Sequence, residues 1–209
     1  MAAHIVRGLT ILAFVFPRAS QKRRDQLVRG WGRKVLAIFS LRHVVACGAW
    51  SKTLTAPLGE TIPLDTERGY NTTLPEGAFD LRRQLVFGGH GFVVTPLSGG
   101  RVRVGGAVEL GGLDLPPNFK RADAMLTKAA RLMPGLRTSG GTQWMGFRPS
   151  MPDSLPVIGR SRASRNIVYA FGHGHLGLTQ SAGTGKLVAE LVTGAAPSLD
   201  LTPFSPRRF

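Results

Sequence analysis

A single cysteine, Cys47, stands in a chain of 209 residues. It excludes an intramolecular disulfide and, with no second thiol beside it, a zinc site of the usual kind; no metal is expected. Cys47 closes the apolar run Val44-Val45-Ala46-Cys47, which predicts a small buried hydrophobe in a reducing compartment. Long hydrophobic stretches are missing as well. The longest, Leu9 to Phe16, ends at Pro17 and is far shorter than the ~20 residues a bilayer span needs. Pro17-Arg18-Ala19-Ser20 after it is a poor leader cleavage site. Acids are few, 12 Asp and Glu against 27 Lys and Arg, for a net charge of +15. Eight of the basic residues fall within residues 1–40, with Asp25 as the only acid there. The rest are dispersed, with no helix or ribbon that alternates basic and aromatic side chains, so no nucleic-acid partner is expected.

What the chain does have is 43% hydrophobic residues, 27 glycines and 14 prolines, the composition of a turn-rich α/β or α+β protein. Residues 1–41 alternate short apolar runs with basic clusters and show no periodic apolar face. Regular patterning begins at His43–Ala46, a β-branched run that predicts a buried parallel strand, followed by a short helix over 51–58. Strands are predicted over 68–74, 84–88, 91–97 and 101–109, with Ser98-Gly99-Gly100 as a hairpin turn. The alternation Arg101-Val102-Arg103-Val104 gives this antiparallel layer one wet face. An amphipathic helix over 119–133 follows, stopped by Pro134-Gly135. Then come a strand over 142–148, an extended Pro-rich loop over 149–159, a strand over 167–171 and a helix from about Leu178 to Thr193.

Gly172-His173-Gly174-His175-Leu176-Gly177, between a strand and a helix, matches the dinucleotide fingerprint in spacing. A Rossmann unit, however, needs a second parallel strand with an acidic residue about 20 positions on, and only 32 residues, ending in a Pro-rich tail, follow Gly177. The ADP-binding reading is therefore rejected. Two readings remain: a plain strand-to-helix turn, or a loop whose backbone N–H groups stabilise negative charge on a flat ligand such as a reduced flavin.

Gly172 to Thr179, the approach Trp144-Met145-Gly146-Phe147-Arg148-Pro149, and Val44 to Ser51, together with Glu67-Arg68-Gly69-Tyr70, resemble the FAD-dependent D-amino-acid oxidase and dehydrogenase superfamily, most closely its bacterial dehydrogenases. The resemblance covers residues 42–209. It implies a partial Rossmann-like FAD-binding layer (42–67 and 149–209), an antiparallel-sheet substrate domain (68–148), and a basic segment (1–41) unlike the family. It also implies oxidation of a D-amino acid through the imino acid to the 2-oxo acid and ammonia. The hydride would pass to flavin N5, and the electrons then to a quinone or another acceptor. Residues 1–41 contain no G-x-G-x-x-G for the ADP moiety, so a truncated, non-catalytic remnant is the alternative expectation. The expected location is cytoplasmic, with peripheral association on the inner face of the membrane.

Arg148 carries the sharpest expectation. A guanidinium pairs bidentately with a carboxylate, and the resemblance places an Arg there for the substrate. Tyr70 is expected either over the substrate or in the sheet packing. Gly48, Ala49 and Trp50 would meet the flavin through backbone, with the Trp50 ring mostly core; Gly172, His173, Gly174, Gly177, Leu178 and Thr179 complete the expected cofactor contacts. His173 would bond near the flavin or serve as a turn residue, and His175 is expected to be structural. No side chain is assigned as an obligatory base.

Overall fold

The computed structural model describes residues 2–38 and 41–209. The basic N-terminal segment, in which no periodic face is predicted, is helical. Helix α1 (Ala2–Thr10) passes through a π turn and a 3-10 turn, Phe16–Arg18, into α2 (Gln21–Ile38). Ala, Leu, Arg, Lys and Gln favour helix, the apolar residues of α1 gather on one helical face, contrary to the expectation from sequence, and Pro17 sits where the path must break. Arg24 reaches back to clasp the bend: its Nε donates to the Phe16 carbonyl at 3.0 Å, and its guanidinium lies 5.4 Å from the Phe16 ring centroid.

A five-stranded antiparallel sheet is built from β2 (Asp65–Leu74), β3 (Leu85–Phe87), β4 (Phe92–Leu97), β5 (Arg101–Leu110) and β6 (Thr142–Ser150), in the order β3-β4-β5-β2-β6. The strand register slips between Tyr70 and Asn71, leaving Gly106 as the extra residue of a bulge. That slip lets Val104 and Ala107 both turn toward α4 (Lys120–Leu132), which the sequence pattern predicts well. Ala122, Met125 and Ala129 of α4 pack with Tyr70, Phe92, Val94, Val102 and Val104 into the main core.

The smaller sheet is mixed, in the order β1-β8-β7. β1 (His43–Val45) runs parallel to β8 (Ile167–Phe171), and β7 (Val157–Arg160) is antiparallel to it. Residues 149–159 are thus not one loop. β6 extends to Ser150, with Pro149 opposite Thr66 on an edge strand, where a missing N–H costs little, and a new strand begins at Val157. Helix α5 (Ser181–Thr193) buries Leu187 and Leu191 against Ile158 and Val168. A carboxylate, Glu60, is buried beside this sheet. It accepts from the Ser161 and Tyr169 hydroxyls and the Ala163 N–H. Burial acts to raise its pKa, but these donors outweigh it and hold the carboxyl below its usual range. Burial and the same anion push the Tyr169 phenol up to about 12.

Cys47 is exposed, not buried. β1 ends at Val45, and the chain turns at once, the Cys47 N–H donating at 3.1 Å to Oγ of Ser51, the first residue of the short helix α3 (Ser51–Thr55).

Candidate active site

β1 and β8 are parallel, so the turns that follow them leave the smaller sheet at the same end, the end where open α/β sheets bind ligands. After β1 comes the 3-10 turn Gly48–Trp50; after β8 comes Gly172, with the 3-10 turn Gly174–Leu176. Both turns pack against β6 of the larger sheet. The last residues of β6, including Arg148, therefore lie where the two layers meet.

The turns present backbone. Gly48 has φ 55° with open space where a Cβ would stand, and Gly172 has φ 85° with Met151 Cγ only 2.7 Å from that position; both sites require glycine. Ala49 is buried, so it can offer a ligand only main chain. Trp50 is half exposed rather than core, its ring edge-on to Phe147 at 5.5 Å. Gly177, Leu178 and Thr179 precede α5 in a turn, and Leu178 is 89% exposed. The helix starts at Ser181, not Leu178, after separate turns closed by the Gln180 N–H to the Leu176 carbonyl and the Ser181 N–H to the Leu178 carbonyl. His173 folds back onto that helix, its Nε2 3.0 Å from Thr184 Oγ1, and burial lowers its pKa, so the ring is neutral at neutral pH.

Arg148 is held on β6 opposite Glu67 of β2. Its guanidinium lies over Gly69, where any Cβ would overlap it. Nη1 is buried and has no hydrogen-bond partner. Burial lowers the guanidinium pKa, and the Glu67 carboxylate opposes that shift. A buried, unpaired donor on a permanently charged group is costly, and an anionic ligand relieves that cost. On the same strand Trp144 covers Gly146, and Arg103 lies 5.6 Å from the Trp144 ring centroid.

Tyr70 is not part of this cluster. Neighbouring positions on a strand point to opposite faces, so Tyr70 faces α4 while Gly69 faces Arg148. The phenol is fully buried; it donates to Glu109 and accepts from the Asn118 N–H at 3.0 Å. Its role is packing and hydrogen bonding, which corrects the substrate-contact reading. Sequence reasoning did not single out Glu67, whose Oε2 lies 2.8 Å from His175 Nε2, or Gly69. The signal for both was their place beside Arg68 and Tyr70 in a quoted motif.

Two Gly-turns at the carboxyl ends of parallel strands thus face an antiparallel sheet that holds Arg148, the two-layer arrangement of a ligand-binding α/β protein. The chain belongs to the DAO family, described as FAD dependent oxidoreductase, whose model matches residues 17–191; the match opens inside the basic segment. The chain is 47% identical over 173 residues to a D-amino-acid oxidase of Bradyrhizobium diazoefficiens, covering 79% of this chain and 40% of that protein. It is 36% identical over 170 residues to a D-amino acid dehydrogenase of Xanthobacter autotrophicus, covering 80% and 40%. Glycine oxidase from Geobacillus kaustophilus shares the fold with a TM-score of 0.70 at 29% identity, over 79% of this chain and 45% of that one. The chain thus spans 40% of the length of the curated relatives it matches. FAD is the cofactor of the family. The open space at Gly48 leaves main chain within reach of a flat ring.

Proposed function

We propose that the chain forms the flavin-ring and substrate-carboxylate side of an enzyme that oxidises D-amino acids to imino acids, which water converts to 2-oxo acids and ammonia. When bound, FAD supplies at N5 the acceptor for the hydride leaving Cα. Residues 42–67 and 149–209 make the cofactor layer in this reading, and 68–148 the substrate domain. Gly48, Ala49, Gly172, Gly174 and Gly177 hold the ring through main chain, with Trp50, His173, Leu178 and Thr179 around it. Arg148 fixes the carboxylate bidentately and so aims Cα. The observation that carries the reading is the buried Arg148 Nη1 with no partner, at the junction of the two layers.

The test is Arg148→Lys in the chain loaded with FAD. Lysine keeps the charge and loses the fork, so kcat/KM for D-alanine should fall by about 30-fold to several-thousand-fold while flavin content is unchanged. D-alaninamide, which has no carboxylate, should lose far less. Equal losses for acid and amide would show that Arg148 supports the fold or the flavin instead.

The reading extends to a quinone or another acceptor for the electrons, and to a peripheral place on a membrane. No helix among the described residues is long and apolar enough to cross one. Support for surface association comes from the N-terminal helices, where exposed Val6, Leu9, Phe14 and Val28 stand among Arg7, Lys22 and Arg29. The chain should sediment with phosphatidylglycerol vesicles at low salt and be released as salt rises; equal recovery with neutral vesicles would remove the electrostatic basis of this association.

A further inference from the structure

On the face of the large sheet that carries Arg148, two opposite charges stand side by side and do not pair. Glu67 and Arg148 are directly opposed on β2 and β6, which places their Cβ atoms about 5 Å apart. The carboxylate is close enough to act on the guanidinium electrostatically. Opposite charges so placed ordinarily join. Here each is drawn aside by a different neighbour: Glu67 Oε2 bonds His175 Nε2 at 2.8 Å, and the Arg148 guanidinium lies over Gly69. The bond to His175 uses Glu67 Oε2 and not Oε1, and Arg148 Nη1 is left buried without a partner.

We infer that Glu67 is a specificity-determining residue: its carboxylate takes the ammonium group of an α-amino acid whose carboxylate rests on Arg148, so the two side chains read the zwitterion together. This rests on the proposed reading of Arg148. An α-amino acid carries both charged groups on one carbon, and a cation and an anion on adjacent strands that do not pair with each other complement them. A simple carboxylic acid satisfies Arg148 alone and leaves Glu67 as a repulsive neighbour, so the pair also rejects. His175 is a positioning residue. By holding Oε2 it keeps Glu67 from closing onto Arg148, and it ties the turn after β8 to the substrate sheet. Gly69 supplies the space into which the guanidinium leans.

Calorimetric titration of the full 209-residue chain with D-alanine and with propionate, which has the same carbon skeleton without the amine, tests this. D-alanine should bind at least about tenfold more tightly. Glu67→Gln should weaken D-alanine about tenfold and leave propionate unchanged or tighter, Glu67→Asp should recover part of the loss, and Arg148→Lys should weaken both ligands. Equal affinities in the unaltered chain, or a Glu67→Gln variant that weakens both ligands alike, overturns the inference. The carboxylate reading then still stands if Arg148→Lys weakens both. If Arg148→Lys weakens neither, or the unaltered chain takes up neither ligand, the carboxylate reading falls and the inference with it. Thermal unfolding checks each variant. Should Glu67→Gln fail to fold, Glu67→Asp decides: its shorter reach must lower the D-alanine to propionate preference, and an unchanged preference overturns the inference.

Discussion

On the α4 side of the five-stranded sheet the charges bond to one another and to backbone, although Arg68 Nη2 is buried without a partner. Arg68, with no exposed surface, donates through Nε to the Gly112 carbonyl at 2.7 Å and through Nη1 to Pro116, and Glu109 lies 3.7 Å away. Glu109 in turn accepts from Tyr70 and from Arg121, and these contacts hold its pKa below the usual range. On the opposite face the neighbouring Glu67 and Arg148 leave each other unpaired. The same sheet, with side chains one position apart, thus ties its polar groups into structure in one direction and, in the other, leaves the pair on which the proposed function rests. An unpartnered donor alone does not distinguish the two arginines; Arg68 is tied to two carbonyls and to Glu109, and Arg148 has no such ties.

The largest expected effect lies on the closed face. Phe92 is 2% exposed and stacked on Phe87 at 4.6 Å; Phe92→Ala should cost ~3–5 kcal/mol in urea unfolding. Val86→Ala, at a position 69% exposed on the other face, should stay within about 0.5 kcal/mol. Comparable losses would erase the distinction between the faces.

Tyr70→Phe sharpens it further. Removing the hydroxyl leaves the Asn118 N–H without its acceptor and should cost ~1–3 kcal/mol, with D-alanine affinity unaltered. Reduced affinity at unchanged stability would return the phenol to the substrate side.

The smallest effect concerns acid. A carboxylate whose folded pKa lies below its unfolded value stabilises the fold above the unfolded value, and that contribution is lost as pH falls through the folded one. For Glu60, with an ordinary value of 4.5, stability should be complete above pH 4.5 and decline below it. Glu60→Gln should flatten this acid limb, as measured by thermal melts across pH 3–6. An unchanged slope would mean that other carboxylates set it.

The strands of the large sheet and helix α4 were legible because each has one clean period: Val102 and Val104 alternate with arginines, and Ala122, Met125 and Ala129 repeat at helical spacing. Arg148 was legible through its motif. The face chosen by Tyr70 was harder to read: β2 is buried on both sides from Arg68 to Thr72, so alternation carries no signal there, and the bulge shifts the phase of β5 against it. Cys47 closes an apolar run and Trp50 reads as mostly core, yet both lie after β1 ends and are exposed. The Glu67–His175 contact joins residues 108 positions apart, a relation no local pattern contains.

That early ending of β1 has a practical use. Cys47 is the chain's one thiol, exposed, and adjacent to the Gly48 turn. A fluorophore or nitroxide attached there needs no engineered background. Its emission or line shape would register motion of the turn next to the proposed flavin position, making the native chain its own spectroscopic reporter of cofactor arrival.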